Sequence, residues 1–275
     1  MPYETRFYNS RWWVLAGGKL IGGYNAVELR SYVFPLYTPA GVLVIQEAPP
    51  DHPHHQGVWA GLEIDGHDLW NAGSFGKERH RQTNCTPLAE LKPTVDESGV
   101  TFAHEIAWET VNGQSLLRER RTVCLSAADD STRVDWRSDF FAPDRPVTLG
   151  QTKEAGLALR VPPHWETLPA RWEADFGGVI RIATGDTGES ACFDSDSPWL
   201  NVQGSAGRGH SAGVVLLPRS QPCPWFTRDY GCHVYNPLRH ASVLLQAGET
   251  FSLALTVLAY DGRRSVEEIN ALARL

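Results

Sequence analysis

Along most of the chain apolar and polar side chains alternate with period two, the mark of half-buried β-strands. The clearest run is Val100, Phe102, His104, Ile106 and Trp108, which share one face. His104, among apolar neighbours, reads as a core histidine. Residues 117 to 125 follow with Arg118, Arg120 and Arg121, and then Val134, Trp136, Ser138 and Phe140 alternate with Asp135, Arg137 and Asp139. These predict successive antiparallel strands with one wet face. Upstream, residues 12 to 20 and 27 to 34 read as strands separated by glycines at 17, 18, 22 and 23, and residues 42 to 45 as a short strand after Pro35 and Pro39. Residues 57 to 70 predict a buried strand, a turn at Asp65-Gly66 and a return. Residues 71 to 86 are polar and poorly patterned, which predicts a functional loop or rim.

The second half predicts a strand between turns within residues 175 to 190, a glycine-rich link after Pro198-Trp-Leu-Asn-Val-Gln-Gly, and a buried strand over 213 to 217. Residues 241 to 245 and 251 to 260 read as a closing hairpin through Ala247-Gly248-Glu249. Only the tail predicts a helix. Ser265 caps it, Glu268 completes a capping box, and Val266, Ile269, Leu272 and Ala273 form an apolar stripe for the outside of a sheet. No repeat and no Pro/Ser-rich linker divides residues 1 to 275. The expected fold is all-β: one large antiparallel β-sandwich with a short C-terminal helix.

Composition narrows the function. The net charge of −7 excludes a nucleic-acid partner and an anionic membrane surface, because both need a basic field. No apolar run is long enough to span a bilayer, and the N-terminus lacks a basic start and an apolar h-region. Five dispersed cysteines without a C-x-x-C pair fit a reducing compartment, so the expected location is cytoplasmic. Ten tryptophans are an excess. Most belong to packing, but Trp70, Trp199 and Trp225 stand beside polar loop residues, where an indole can stack on a sugar. Exposed edge strands leave room for a homodimer.

The chemistry concentrates in three stretches. In Pro49-Pro-Asp-His-Pro-His-His-Gln-Gly-Val-Trp59, the histidines His52, His54 and His55 fall within four positions on a proline-stiffened loop. Gly150-Gln-Thr-Lys-Glu-Ala-Gly places Lys153 and Glu154 against apolar flanks, where their pKa values can shift. Pro224-Trp-Phe-Thr-Arg-Asp-Tyr-Gly-Cys-His-Val-Tyr-Asn-Pro gathers Arg228, Tyr230, His233 and Asn236. Acid/base work would use His54 or His55 with Lys153, Glu154, Tyr230 or His233. His52, Gln56, Trp70, His80, Trp225, Arg228 and Asn236 are candidates for holding substrate. No cofactor is assigned. A divalent metal is the alternative, with His52 and His54 as ligands. No nucleophile elbow, dinucleotide fingerprint or P-loop is present.

Asp51-His-Pro-His-His-Gln-Gly-Val-Trp, followed by Asp65-Gly-His-Asp-Leu-Trp, resembles the Asp-His-Pro-His-His-Arg motif and its sequel in the PmoA-like family of soluble bacterial proteins. Thr152-Lys-Glu-Ala-Gly-Leu-Ala-Leu-Arg-Val, Pro198-Trp-Leu and Trp225-Phe-Thr-Arg-Asp-Tyr-Gly match further on. The resemblance implies a fold similar to the supersandwich of aldose mutarotases and a place in sugar catabolism beside sugar oxidoreductases. The family's histidines fall on His52, His54 and His55, its Lys-Glu pair on Lys153 and Glu154, and its Arg-x-Tyr-Gly on Arg228, Tyr230 and Gly231. Gln56 stands where the family commonly has arginine. The expected function is a carbohydrate-active enzyme that transfers a proton on a sugar or keto sugar, as lyase, hydratase or epimerase/mutarotase. One alternative is a non-catalytic sugar-binding protein or partner subunit of a sugar oxidoreductase. Another is a metal-dependent oxygenase or lyase.

Overall fold

The structure is a computed structural model that describes residues 1–27, 29–167 and 177–274. Two large antiparallel sheets pack face to face. The first has eight strands in the spatial order Tyr3–Tyr8, Arg11–Ala16, Lys19–Val27, Arg30–Leu36, Val58–Gly61, Gly156–Arg160, Cys232–Tyr235 and Trp225–Thr227. The second runs Gly178–Ile182, Leu200–Gly207, His210–Pro218, Thr250–Asp261, Ser131–Phe141, Ser115–Ala127, Gly99–Glu109 and Arg81–Asn84, with Thr94–Asp96 added to Gly99–Glu109. A small ribbon joins Val243–Leu245, Val147–Leu149, Glu63–Ile64 and His67–Asp68.

Strict alternation assigns the faces. Val58, Ala60, Leu157, Leu159 and Tyr235 of the first sheet meet Phe102, Trp108, Val123, Trp136 and Leu255 of the second in one core. Trp59, Ala158, Phe226, Cys232 and Val234, their neighbours in sequence, point out of the opposite face of the first sheet and form a second cluster with Tyr32 and Trp70. Between the sheets lies a fully buried ion pair: Arg121 donates to both oxygens of Glu119 at 2.7 and 2.8 Å and to the Ser31 carbonyl at 2.9 Å. His104 is the expected core histidine, with its Nε2 2.7 Å from the Tyr24 hydroxyl.

The tail helix, Val266–Ala273, carries the expected capping box: Glu268 N–H donates to Ser265 Oγ at 3.2 Å and Ser265 N–H to the Glu268 carboxylate at 2.6 Å. Ile269 packs it onto Trp199, Val215, Leu217, Leu258 and Tyr260 on the outer face of the second sheet.

Several expectations are corrected. The closing hairpin does not form. Val243–Leu245 pairs with Val147–Leu149, whereas Thr250–Asp261 lies between Ser131–Phe141 and His210–Pro218. Gly22 and Gly23 do not break a strand. The turn needs only Gly17 and Gly18, both at positive φ, and Gly22 and Gly23 pair with Val14 and Trp13. Residues 42 to 45 make only an isolated bridge, Tyr37 to Leu43. The glycine-rich link expected after Gly204 is shorter than expected: the strand Leu200–Gly207 runs into it, and only Arg208 and Gly209 turn the chain into His210–Pro218. The strand expected within 175 to 190 is Gly178–Ile182, followed by a short helix, Glu189–Cys192; residues 175 and 176 lie outside the described residues.

Candidate active site

The three chemical stretches meet over the outer face of the first sheet, around a cavity of about 670 Å³. Its lining includes His52 and His54, Lys153 and Glu154, Arg228 and Tyr230, and also Glu63, Asp68, Asn71, Phe75, Phe193 and Arg239. Two glycines bring the stretches together. Gly57, at φ +63, ends the histidine loop where a Cβ would lie 2.1 Å from the Val33 carbonyl oxygen. Gly156, at φ +113, follows the Lys153-Glu154 loop, and a Cβ there would lie 2.1 Å from the Tyr235 carbonyl oxygen.

The histidine loop is not extended. His52 N–H donates to the Pro49 carbonyl at 3.0 Å and His55 N–H to the His52 carbonyl at 2.9 Å, so the chain turns. The turn stacks the rings of His52 and His55 at 4.7 Å and tilts His54 aside. The three imidazoles therefore differ. His55 is fully buried against Trp59 at 4.9 Å, and His54 is 4% exposed. The side chain of His52 is 25% exposed and stacks on Tyr230 at 4.7 Å.

One arginine arranges this. Arg160 ends Gly156–Arg160 and is buried, on the same face as Ala158. Its Nη1 donates to His55 Nδ1 at 3.1 Å, and its Nη2 reaches Asp51 at 3.0 and 3.2 Å and Glu166 at 3.0 Å. Asp51 in turn lies 2.9 Å from His52 Nδ1. A carboxylate only accepts, so His52 donates from Nδ1, and Nε2 is the ring nitrogen left to exchange a proton with a substrate.

Burial would raise the Asp51 carboxyl, but hydrogen bonds from His52 and Arg160 hold it below the usual range. Burial, then the Arg30 cation, pushes His54 down to about 3, and burial with the neighbouring histidine and arginine charges drives His55 lower still. Both are neutral at pH 7. Glu154 moves the other way. Burial raises its carboxyl despite Lys153, 3.9 Å away, and His52. Burial also raises the Tyr230 hydroxyl.

Other candidates lie elsewhere. His233 alternates onto the core face, where its Nδ1 meets the Thr227 hydroxyl at 2.6 Å, so it does not reach the cavity. Asn236 is buried. It donates to the Thr152 and Lys153 carbonyls at 2.9 and 3.1 Å and so anchors the loop that carries Glu154 rather than a substrate. Gln56 bridges Glu47 through its backbone, outside the lining. The three candidate tryptophans offer no open stacking face to the cavity. Trp225 is buried and donates to the Ser197 carbonyl, Trp199 lies under the tail helix and donates to Asn270, and Trp70 reaches only a side recess of about 50 Å³. Aromatic faces come instead from Phe75, Phe193, Phe226 and Tyr230.

His80 is also buried and outside the cavity lining. Among the described residues, His67, Glu78 and His80 are the only three metal-ligand side chains with donor atoms within 4.8 Å of one another, so His52 and His54 are joined by no third. His80 Nδ1 accepts the Val111 N–H at 3.0 Å, which leaves the ring proton on Nε2, 2.9 Å from Glu78. That tautomer offers a metal no free lone pair.

Sequence reasoning missed Arg160, Glu166, Asp68 and the role of Asp51. Arg160 left one signal, a charge closing the otherwise apolar Gly-Leu-Ala-Leu-Arg.

A family model described as "Family of unknown function (DUF6807)" matches residues 11–274. No curated protein matches. Among solved structures, the chain is similar to a galactose mutarotase related enzyme from Lactobacillus acidophilus, at 9% identity and a TM-score of 0.39 over 94% of this chain and 97% of that one. It is also similar to a 4-alpha-glucanotransferase from Thermococcus litoralis, at 12% identity and a TM-score of 0.33 over 94% of this chain and 37% of that one.

Proposed function

The chain belongs to this family of unknown function, and from its own cavity we propose a carbohydrate-active enzyme that transfers a proton on a sugar or keto sugar, as lyase, hydratase or epimerase. The observation that carries the proposal is the Asp51–His52 pair. An imidazole held by a carboxylate at 2.9 Å, stacked on Tyr230 and lining the cavity, is built as a general base. Glu154 complements it. A carboxyl raised by burial keeps its proton nearer neutrality and serves as the acid. The cavity size falls within the roughly 300–1,000 Å³ usual for small-molecule sites. Its mixture of aromatic faces with Asn71, Thr152, Lys153 and Arg239 suits a ring that is apolar on its C–H face and polar at its hydroxyls. Five free cysteines support a cytoplasmic setting.

In this scheme His52 Nε2 takes the proton from carbon, and Glu154 protonates the leaving oxygen or returns a proton to the opposite face. Lys153 and Arg228 stabilise the developing oxyanion. His54, neutral and on the wall, supplies shape and a hydrogen bond. His55 supports His52 from below.

The test is deuterium incorporation at ring carbons, followed by NMR across a panel of aldoses, keto sugars and glycosides in heavy water. The wild-type chain should exchange at least one of them. His52→Ala and Glu154→Gln should each slow that exchange by about 10²-fold or more. A folded His52 variant that exchanges at the wild-type rate would end the proposal. Binding without exchange in every case would favour the sugar-binding alternative.

A further inference from the structure

Arg228 is held but not saturated. Its Nε is buried and has no hydrogen-bond partner among the described residues. Its guanidinium lies over Tyr230 at 5.7 Å and Phe193 at 6.0 Å. Its ion partner is Glu189, 3.4 Å from Nη1, and the other oxygen of Glu189 accepts the Asp229 N–H at 2.6 Å. Arg239, the other arginine on the wall, is occupied by both oxygens of Asp194 at 2.7 and 2.9 Å. Arg228 thus presents a rigid, incompletely paired fork to the cavity, and Lys153, with its side chain 68% exposed, adds a second positive head.

The position of this fork matters as much as its charge. Tyr230 carries His52 stacked at 4.7 Å and also borders Arg228, so base and cation flank the same ring. Both also line the one cavity, so a substrate that meets the base there meets the cation too. A neutral hydroxyl uses one N–H of a guanidinium, whereas a carboxylate takes two in parallel. Resting on the proton-transfer function above, we propose that the substrate is a sugar acid of the uronate type, and that Arg228 selects its carboxylate.

The chemistry is consistent with that group. A hydrogen on the carbon next to a carboxylate is hard to remove because the electron pair must enter an already anionic group. When the C–H bond breaks toward His52 Nε2, the pair passes into the carboxylate as an enediolate, and a cation on its oxygens lowers that barrier. Reprotonation on the other face gives an epimer. Alternatively the pair forms a C=C bond as the β C–O bond breaks, and the Glu154 proton goes to the leaving oxygen. Neither route needs an oxidant or reductant.

The experiment is calorimetric titration of glucuronate and galacturonate, against glucose and galactose, into the full chain and into Arg228→Met and Arg228→Lys. The wild type should bind at least one uronate tenfold or more tighter than its neutral parent, with affinity falling as salt rises. Arg228→Met should lose that preference, its uronate affinity falling to that of the neutral parent. Equal affinity for acid and parent, absence of binding of either uronate, or a preference that survives in folded Arg228→Met would overturn the proposal. Should the Met variant fail to fold, Arg228→Lys decides, because it keeps the charge and loses the fork. At least a threefold fall in preference is expected, and no fall overturns it. Deuterium exchange is read separately. Uronate preference without exchange sinks proton transfer and leaves the carboxylate site. Exchange on neutral sugars without uronate preference does the reverse.

Discussion

Arg160 sets two of three neighbouring imidazoles apart, holding His55 below and leaving His52 on the cavity wall beside His54. It occupies His55 Nδ1, fixes Asp51, and through Asp51 orients His52. Replacing it by Met removes a cationic partner from two carboxylates at once, Asp51 and the buried Glu166. Breaking such a pair on one side costs about 3–5 kcal/mol, so Arg160→Met should lower the urea midpoint steeply and abolish exchange. Wild-type stability in that variant would remove Arg160 from its central place. Asp51→Asn is gentler: the fold should hold, while the exchange rate falls about tenfold or more because His52 loses its anionic partner. The same residue explains what the sequence concealed. Three histidines within four positions point to the loop, but their roles depend on a side chain more than 100 positions away in the chain. His55, a catalytic candidate on sequence, is a buried support in the fold, and His52, a substrate-holding candidate, stands on the cavity wall with a carboxylate partner.

At the scale of elements, alternation was legible wherever a strand was long. Gly99–Glu109, Ser115–Ala127 and Ser131–Phe141 present the faces that their sequences predict, because one face meets the core and the other water. For short strands the pairing was not legible, even where the strand was, as at residues 241 to 245. Val243–Leu245 has too few positions to set a register, and its partner Val147–Leu149 is fixed by the surrounding layers. The helix was legible because its cap is local. Its contribution is correspondingly testable. Ser265→Ala removes the acceptor of the Glu268 N–H and should cost about 1 kcal/mol. Ile269 and Asn270 hold the helix over Trp199, so urea unfolding followed by tryptophan fluorescence should show the loss. An unchanged midpoint would mean that the helix adds nothing to the stability of the sandwich.

Among the described residues, four imidazoles are driven far down by burial and stay neutral, and burial lowers His80 and His164 as well. Burial lowers His54, His104 and His233 each to about 3, and His55 further. In the unfolded chain each would titrate near 6.5. The unfolded state therefore binds more protons once the pH falls below about 6.5, and the stability these residues contribute is full above that pH and lost as the pH descends toward 3. Each loses about 1.4 kcal/mol per pH unit, or roughly 2 kcal/mol at pH 5. Four together approach about 8 kcal/mol, comparable to the roughly 5–15 kcal/mol total of a folded domain. Glu154 and Glu189, raised by burial, oppose this, because the folded state then holds their protons more tightly than the unfolded one. Their counterweight acts from the ordinary carboxylate range upward and so enters the same window, but two carboxyls stand against four imidazoles, and the histidines prevail between pH 6.5 and 5. The chain should unfold in mild acid near pH 5, with a stability-against-pH slope that approaches four protons. Urea midpoints measured from pH 8 to 5 give that slope directly. His104→Gln keeps a hydrogen-bonding group beside Tyr24 and should reduce the slope by about one proton. A midpoint that stays level down to pH 4.5 would show that these imidazoles take up protons without unfolding the sandwich, and that the layers around them open to water more readily than their burial implies.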